Sequence, residues 1–137
     1  MAYNGYLLKI GGPAGSEFPM EYVQAETYKI TPNQRQDMDP TRDTSGVLHR
    51  NVVAHRPSKI EFNTRKLYNT DVEIIMSLLR QNYINEAEKK LVLQYYVPDL
   101  NSYQTGNFYI PDIDFNIISI ADNKIRYDAI RFAFIEY

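Results

Sequence analysis

Only in the middle of this sequence does the spacing of apolar residues change from every second position to every third or fourth, and that change constrains the fold most. Val72, Ile75, Met76, Leu79 and Tyr83 recur at helical spacing. The stretches on either side alternate instead. Ile60 and Phe62 interleave with Lys59, Glu61 and Asn63, and Leu91, Leu93, Tyr95 and Val97 fall on one face of 90–97. Alternation of this kind marks strands with one wet face. The spacing predicts a helix over 71–83, with Thr70 as N-cap, Glu73 reaching back to it and Asp71 at the positive end of the dipole. Ile74 and Leu78 widen its apolar face. The expected class is mainly β: an antiparallel sandwich or barrel with one mid-chain helix packed on it.

Strands are predicted at 6–10, 21–30, 47–55, 59–63, 90–97 and 103–110, the first closed by Gly11-Gly12-Pro13 and others by Pro98 and Pro111. Between the second and third lies the longest polar stretch, 31–46. It holds Arg35, Asp37, Asp39, Arg42 and Asp43 and almost nothing suited to a core. Loops this long in a compact domain are usually functional or disordered. The C-terminus reads as a hairpin, 113–121 with 125–137, around Asp122-Asn123. That register sets Ile120 opposite Ile125, Ile118 opposite Tyr127, Phe115 opposite Ile130, Ile113 opposite Phe132 and Asp114 opposite Arg131. The apolar phase slips in both strands at matching places. This predicts a bulge, or a hairpin whose halves pack on opposite sides and which covers a neighbouring subunit. With 137 residues and no linker or repeat, 1–137 reads as one domain.

The chain lacks the parts most catalytic sites need. Cysteine is absent, which removes disulfides, thiolate nucleophiles and cysteine-based zinc sites. Gly11-Gly12-Pro13-Ala14-Gly15 is followed by no helix pattern and no Lys-Ser/Thr, so it reads as a turn and not as a phosphate loop. His49 and His55 could share a strand face, but a metal needs further ligands. The acidic residues of 31–46 sit among arginines, where ion pairs or loop hydrogen bonds explain them. No apolar run approaches the roughly 20 residues of a membrane span. The formal net charge of −2 argues against broad binding to nucleic acid. Lys124, Arg126, Tyr127, Arg131 and Phe132 could suggest a base-stacking platform, but Asp114, Asp122 and Asp128 lie beside them. The expectation is a protein with no enzymatic activity, metal or cofactor. Its 12 Tyr and 6 Phe suit half-buried sheet faces and contact surfaces.

Two stretches carry a resemblance: YKITPNQRQDMDPTRDTSGVLHRNVVAHRPSKIEFNT over 28–64 and IRYDAIRFAFIEY over 125–137. With nearly the whole chain, they resemble a family of short uncharacterised proteins from tailed phages and prophages of low-GC Gram-positive bacteria, encoded in the tail-morphogenesis region. The resemblance implies a virion tail component of the tail-tube, distal-tail or baseplate kind, assembling as rings of copies of itself, often six-fold. It implies neighbouring tail proteins as partners and DNA passing through a lumen without specific binding. It also implies synthesis in the host cytoplasm. The expected subunit contacts are Arg35, Asp37, Asp39, Arg42 and Asp43 in the loop, with Arg126, Tyr127 and Arg131 in the hairpin. The alternative is a small binding module that presents Tyr3, Tyr6, Tyr95, Tyr96 and Tyr103 to cell-wall sugar.

Overall fold

The computed structural model describes residues 2–35, 41–50 and 54–137. Its strands in chain order are β1 (Leu8–Ile10), β2 (Ser16–Glu17), β3 (Lys29–Thr31), β4 (Thr41–Arg42), β5 (Leu48–His49), β6 (Lys59–Asn63), β7 (Leu67–Tyr68), β8 (Tyr83–Asn85), β9 (Lys90–Val97), β10 (Ser102–Tyr109), β11 (Ile117–Ala121), β12 (Lys124–Tyr127) and β13 (Arg131–Glu136). One α-helix, α1 (Asn69–Asn82), lies between β7 and β8. Every strand pair is antiparallel. The fold is therefore β-rich with a single helix among the described residues, as the change of period predicts.

The main sheet runs β2-β1-β9-β10-β13-β6-β3, with β8 on β9. Its inner face holds Leu8, Ile10, Ile60, Phe62, Leu91, Leu93, Tyr95, Val97, Phe108, Phe132 and Phe134, all buried. Ile75 and Leu79 of α1 complete this core. In β9 and β6 the burial alternates strictly, so the period-two pattern turns directly into one dry and one wet face. Gly106 is not an interruption: it pairs with Leu93 inside β10. A Cβ there would collide with the Glu136 carboxylate, which explains a glycine in mid-strand.

Four expectations need correction. The segment 21–30 is not one strand. It forms two 3₁₀ turns, Met20–Tyr22 and Ala25–Thr27, before β3. Its backbone is satisfied by local turns and by bonds to β6, including Gln24 N–H to the Asn63 carbonyl at 3.0 Å and Asn63 N–H to Thr27 Oγ1 at 2.9 Å. A ladder is thus unnecessary. Second, α1 starts after Tyr68, and Asp71 rather than Glu73 reaches back, accepting the Tyr68 N–H at 3.2 Å. Glu73 pairs with Arg80 at 3.1 Å instead. Ile74 does not join the core; it is 53% exposed. Third, 47–55 supplies only the short strand Leu48–His49, and 51–53 lie outside the described residues.

The fourth correction concerns the C-terminal hairpin. Asp122 and Asn123 do turn the chain, both at positive φ, and Ile120 does face Ile125. A bulge between Ile117 and Ser119 then places Ile117, not Ile118, opposite Tyr127. One more backbone bond, Asp128 N–H to the Asn116 carbonyl at 2.9 Å, follows, and the pairing then ends. Phe115 does not meet Ile130, nor Ile113 Phe132, nor Asp114 Arg131. Instead β12 pairs with β7 in a separate three-stranded sheet, β11-β12-β7, and β13 enters the main sheet between β10 and β6. Arg131 faces Asn63. The crossing is held by Thr64, whose buried Oγ1 accepts the Ile130 N–H at 3.0 Å while its own N–H donates to the Ile130 carbonyl at 2.9 Å. The phase slip in the sequence marks this change of sheet.

Candidate functional site

Three surfaces hold all but Arg131 of the described residues predicted to touch a neighbour. The first is the hairpin β4–β5, with Thr41 facing His49 and Arg42 facing Leu48. Asp43 organises its turn. One carboxylate oxygen accepts Ser45 N–H at 3.0 Å, Ser45 O–H at 2.8 Å and Val47 N–H at 3.0 Å, and the other meets His49 Nε2 at 3.0 Å. The His49 bond, followed by the Ser45 and Val47 donors, lowers the Asp43 carboxyl to about 2. Arg42 Nη1 donates to the Gly46 carbonyl at 2.9 Å. Arg42 and Asp43 therefore shape a projecting hairpin, and the exposed groups it offers include Val47 and Leu48. Asp37 and Asp39 lie outside the described residues.

The second surface is a cleft of about 710 Å³, lined among others by Arg35, Arg56, Asp99, Leu100 and Gln104. Two of its lining residues, Asn33 and Gln104, are joined by a polar chain that runs behind it. Asn33 N–H donates to the buried Ser58 Oγ at 2.9 Å, Ser58 Oγ lies 3.1 Å from Tyr95 O–H, and Tyr95 O–H donates to Gln104 Oε1 at 3.0 Å. The Glu136 carboxylate takes the Ser58 N–H at 2.8 Å. Such a network fixes the rim from which Arg35 and Arg56 project into solvent.

The third surface is the small sheet. All five residues of β11 are exposed. Ile117 (51%), Ile118 (46%) and Ile120 (74%) point to both sides, with Phe115 and Tyr68 exposed nearby. Arg126 donates to Tyr68 O–H at 2.9 Å, with its guanidinium 5.1 Å from the ring centre, and the Lys124 ammonium lies 5.8 Å from the same ring. Tyr127 is half-buried and packs edge-on against Phe115, so it roots the sheet in the core. Arg131 is not part of this surface. It stands on the wet face of the main sheet, 2.5 Å from Glu61. That bond, with Lys59 and Lys29 also close, lowers the Glu61 carboxyl below the usual range. Lys124, Arg126 and Tyr127 are thereby separated from Arg131 and Phe132, and no continuous stacking platform results.

The exposed isoleucines are not among the residues expected at a contact, although the double apolar phase of 113–120 is the signal of their exposure. Of the tyrosines proposed to bind sugar, Tyr95 is buried. Tyr3, Tyr6, Tyr96 and Tyr103 do gather, but onto one another: Tyr6 stacks on Tyr103 at 4.6 Å, and Tyr96 meets Tyr3 and Tyr103 edge-on. Among the described residues no three acidic or histidine side chains are placed to hold a metal, and no helix is long and apolar enough to cross a membrane.

Solved chains of gene transfer agent particles are similar in fold. One, in the tail of an empty gene transfer agent particle obtained by helical refinement with C6 symmetry, superposes with a TM-score of 0.57 at 16% identity, covering 99% of this chain and 95% of that one. Another, in the virion of a native gene transfer agent particle, gives a TM-score of 0.52 at 20% identity with the same coverage. At such identities the likeness is one of fold. No protein of curated function matches the sequence. A family model matches residues 1–137, and the chain belongs to that family, one of unknown function (DUF6711).

Proposed function

We propose that this protein is a structural subunit of a phage-like tail, built into a ring by contacts between copies and performing no catalysis. The observation that supports this most is the likeness, over nearly the full length of both chains, to a chain in a tail with C6 symmetry. The surface chemistry agrees with it. Copies meeting through unlike surfaces form rings when the rotation closes, and this chain carries both a projecting polar hairpin and an exposed apolar strand. In this reading six copies close the ring, in the tube or at its end, next to other tail proteins. Arg35 sets register on one side, with Arg42 and Asp43 holding the shape of the hairpin on that side, as charged pairs across interfaces favour specificity. Arg126 serves the other side from the small sheet, which Tyr127 roots, while Arg131 lies apart on the wet face of the main sheet, and Asp37 and Asp39 belong to the same stretch of sequence as the first group. Immunogold labelling of particles released by a producing host tests the assignment. Label along or at the end of tails is expected; particles that lack the protein would refute it.

A further inference from the structure

The small sheet presents an unusual face for a chain of this size. Among the described residues strand β11 is an edge strand, hydrogen-bonded only to β12, and its Ile-Ile-Ser-Ile-Ala sequence carries no charge and no proline. Natural edges are normally shielded by lysines, prolines or bulges. Here one bulge is present, at Ile117–Ser119, and the isoleucines remain in water. Beside them stand Lys124 and Arg126, which rest on Tyr68 and meet no carboxylate among the described residues. Asp122, in the turn, and Asp128, two residues past Arg126, are the nearest acids along the chain, and neither pairs with Lys124 or Arg126 among the described residues.

A matching patch lies at the far end of α1. The small sheet adjoins the start of the helix, where Ile125 N–H donates to Asn69 Oδ1. The end of the helix leads into β8, among the described residues an edge strand bonded only to β9. There Ile84 is 61% exposed. Glu86 follows in the exposed turn and has no cation partner among the described residues. Glu88 accepts only neutral donors, Asn85 Nδ2 at 2.6 Å and Tyr137 O–H at 2.8 Å. The nearby cations are engaged elsewhere: Lys89 with Asp112 at 4.0 Å, Lys90 over the Tyr137 ring at 4.8 Å. The 14 residues of α1 separate the two patches by about 20 Å. One end is apolar and basic, the other apolar and acidic, and they cannot meet within one copy.

We infer that β11 and its neighbours Lys124 and Arg126 dock onto the β8 corner of the next copy, against Ile84, Glu86 and Glu88. The inference rests on the ring reading above and specifies its contact. Apolar side chains supply the burial and the opposite charges fix the direction, so the contact is head-to-tail and propagates around a ring.

The test uses the full chain in three forms, sized by light scattering and checked for folding by circular dichroism. One carries Ile118→Lys and Ile120→Lys, the other Ile84→Lys and Glu86→Arg. Wild type is expected to form rings and each variant to remain a 16.0 kDa monomer. Mixing the two variants leaves one intact hairpin and one intact corner per pair, so a species of twice that mass and no larger is expected. Rings from either variant, or a mixture that stays monomeric, would overturn the pairing while leaving the ring reading intact. A monomeric wild type would overturn both. If a variant fails to fold, the charge exchange decides: Arg126→Glu alone abolishes rings, and Arg126→Glu with Glu86→Arg restores them; no restoration overturns the pairing.

Discussion

Strands β9 and β11 are built from similar residues and meet opposite fates. In β9 each apolar side chain of Leu91, Leu93, Tyr95 and Val97 is buried, covered by the rest of the core. In β11 three isoleucines among five residues stay exposed on both sides. Both form strands because β-branched and aromatic side chains suit an extended backbone. What separates them is the layer above. The main sheet folds over its own core, whereas nothing among the described residues covers β11. Composition makes a strand; only a partner makes it buried. That difference divides the molecule into a part that folds it and a part that is free to join it to something else.

The sharpest way to break this division is to truncate on both sides of it. Phe132 is 1% exposed, stacked 5.8 Å from Phe62 and edge-on to Phe18. Phe132→Ala is expected to cost about 3–5 kcal/mol, read as a lower urea midpoint. A loss below about 1 kcal/mol would show that the core is not where the burial puts it. Thr64→Val comes next. It strands the buried Ile130 N–H at the crossing between the sheets and should cost about 1–3 kcal/mol by the same measurement. Ile120→Lys, on the exposed strand, should change the stability of the monomer by less than about 0.5 kcal/mol. A larger loss would mean that β11 belongs to the folding half.

The smallest effect is local to β4–β5. Its turn rests on the Asp43 carboxylate, whose pKa is lowered to about 2 by His49 and the turn donors. A lowered carboxyl stabilises its structure above the ordinary carboxylate range and loses that contribution as pH falls toward the folded value. NMR titration should therefore give an Asp43 midpoint near 2, with the Ser45 and Val47 amides shifting in the same step. A midpoint near 4 would show that the hairpin turn is not held this way.

Local elements were legible in the sequence. The alternation over 59–63 gives β6, that over 90–97 gives β9, and the helical spacing over 71–83 lies within two residues of α1. Asp122-Asn123 was legible as a turn because positive φ demands such residues. Long-range partners were not legible. The register extended past Tyr127 assumes that a hairpin keeps its partner, and no local signal tells that the Thr64 hydroxyl waits 66 residues away to receive Ile130. Similarly 21–30 holds good strand formers, yet bonds from Gln24 and Thr27 to β6 favour turns. Among the expected contacts, Arg35 and Arg126 are exposed or partly so on surfaces that could meet a neighbour. Arg131 is absorbed by Glu61 and Asp43 by its own turn. Ion pairing of that sort depends on which strands become neighbours, which one-dimensional spacing does not reveal.

The most direct test of the account is cryo-electron microscopy of the purified full-length chain. It predicts closed six-fold rings in which β11 is covered by the next copy. Particles that are uniformly single 16.0 kDa chains at every concentration, with β11 in solvent, would contradict it.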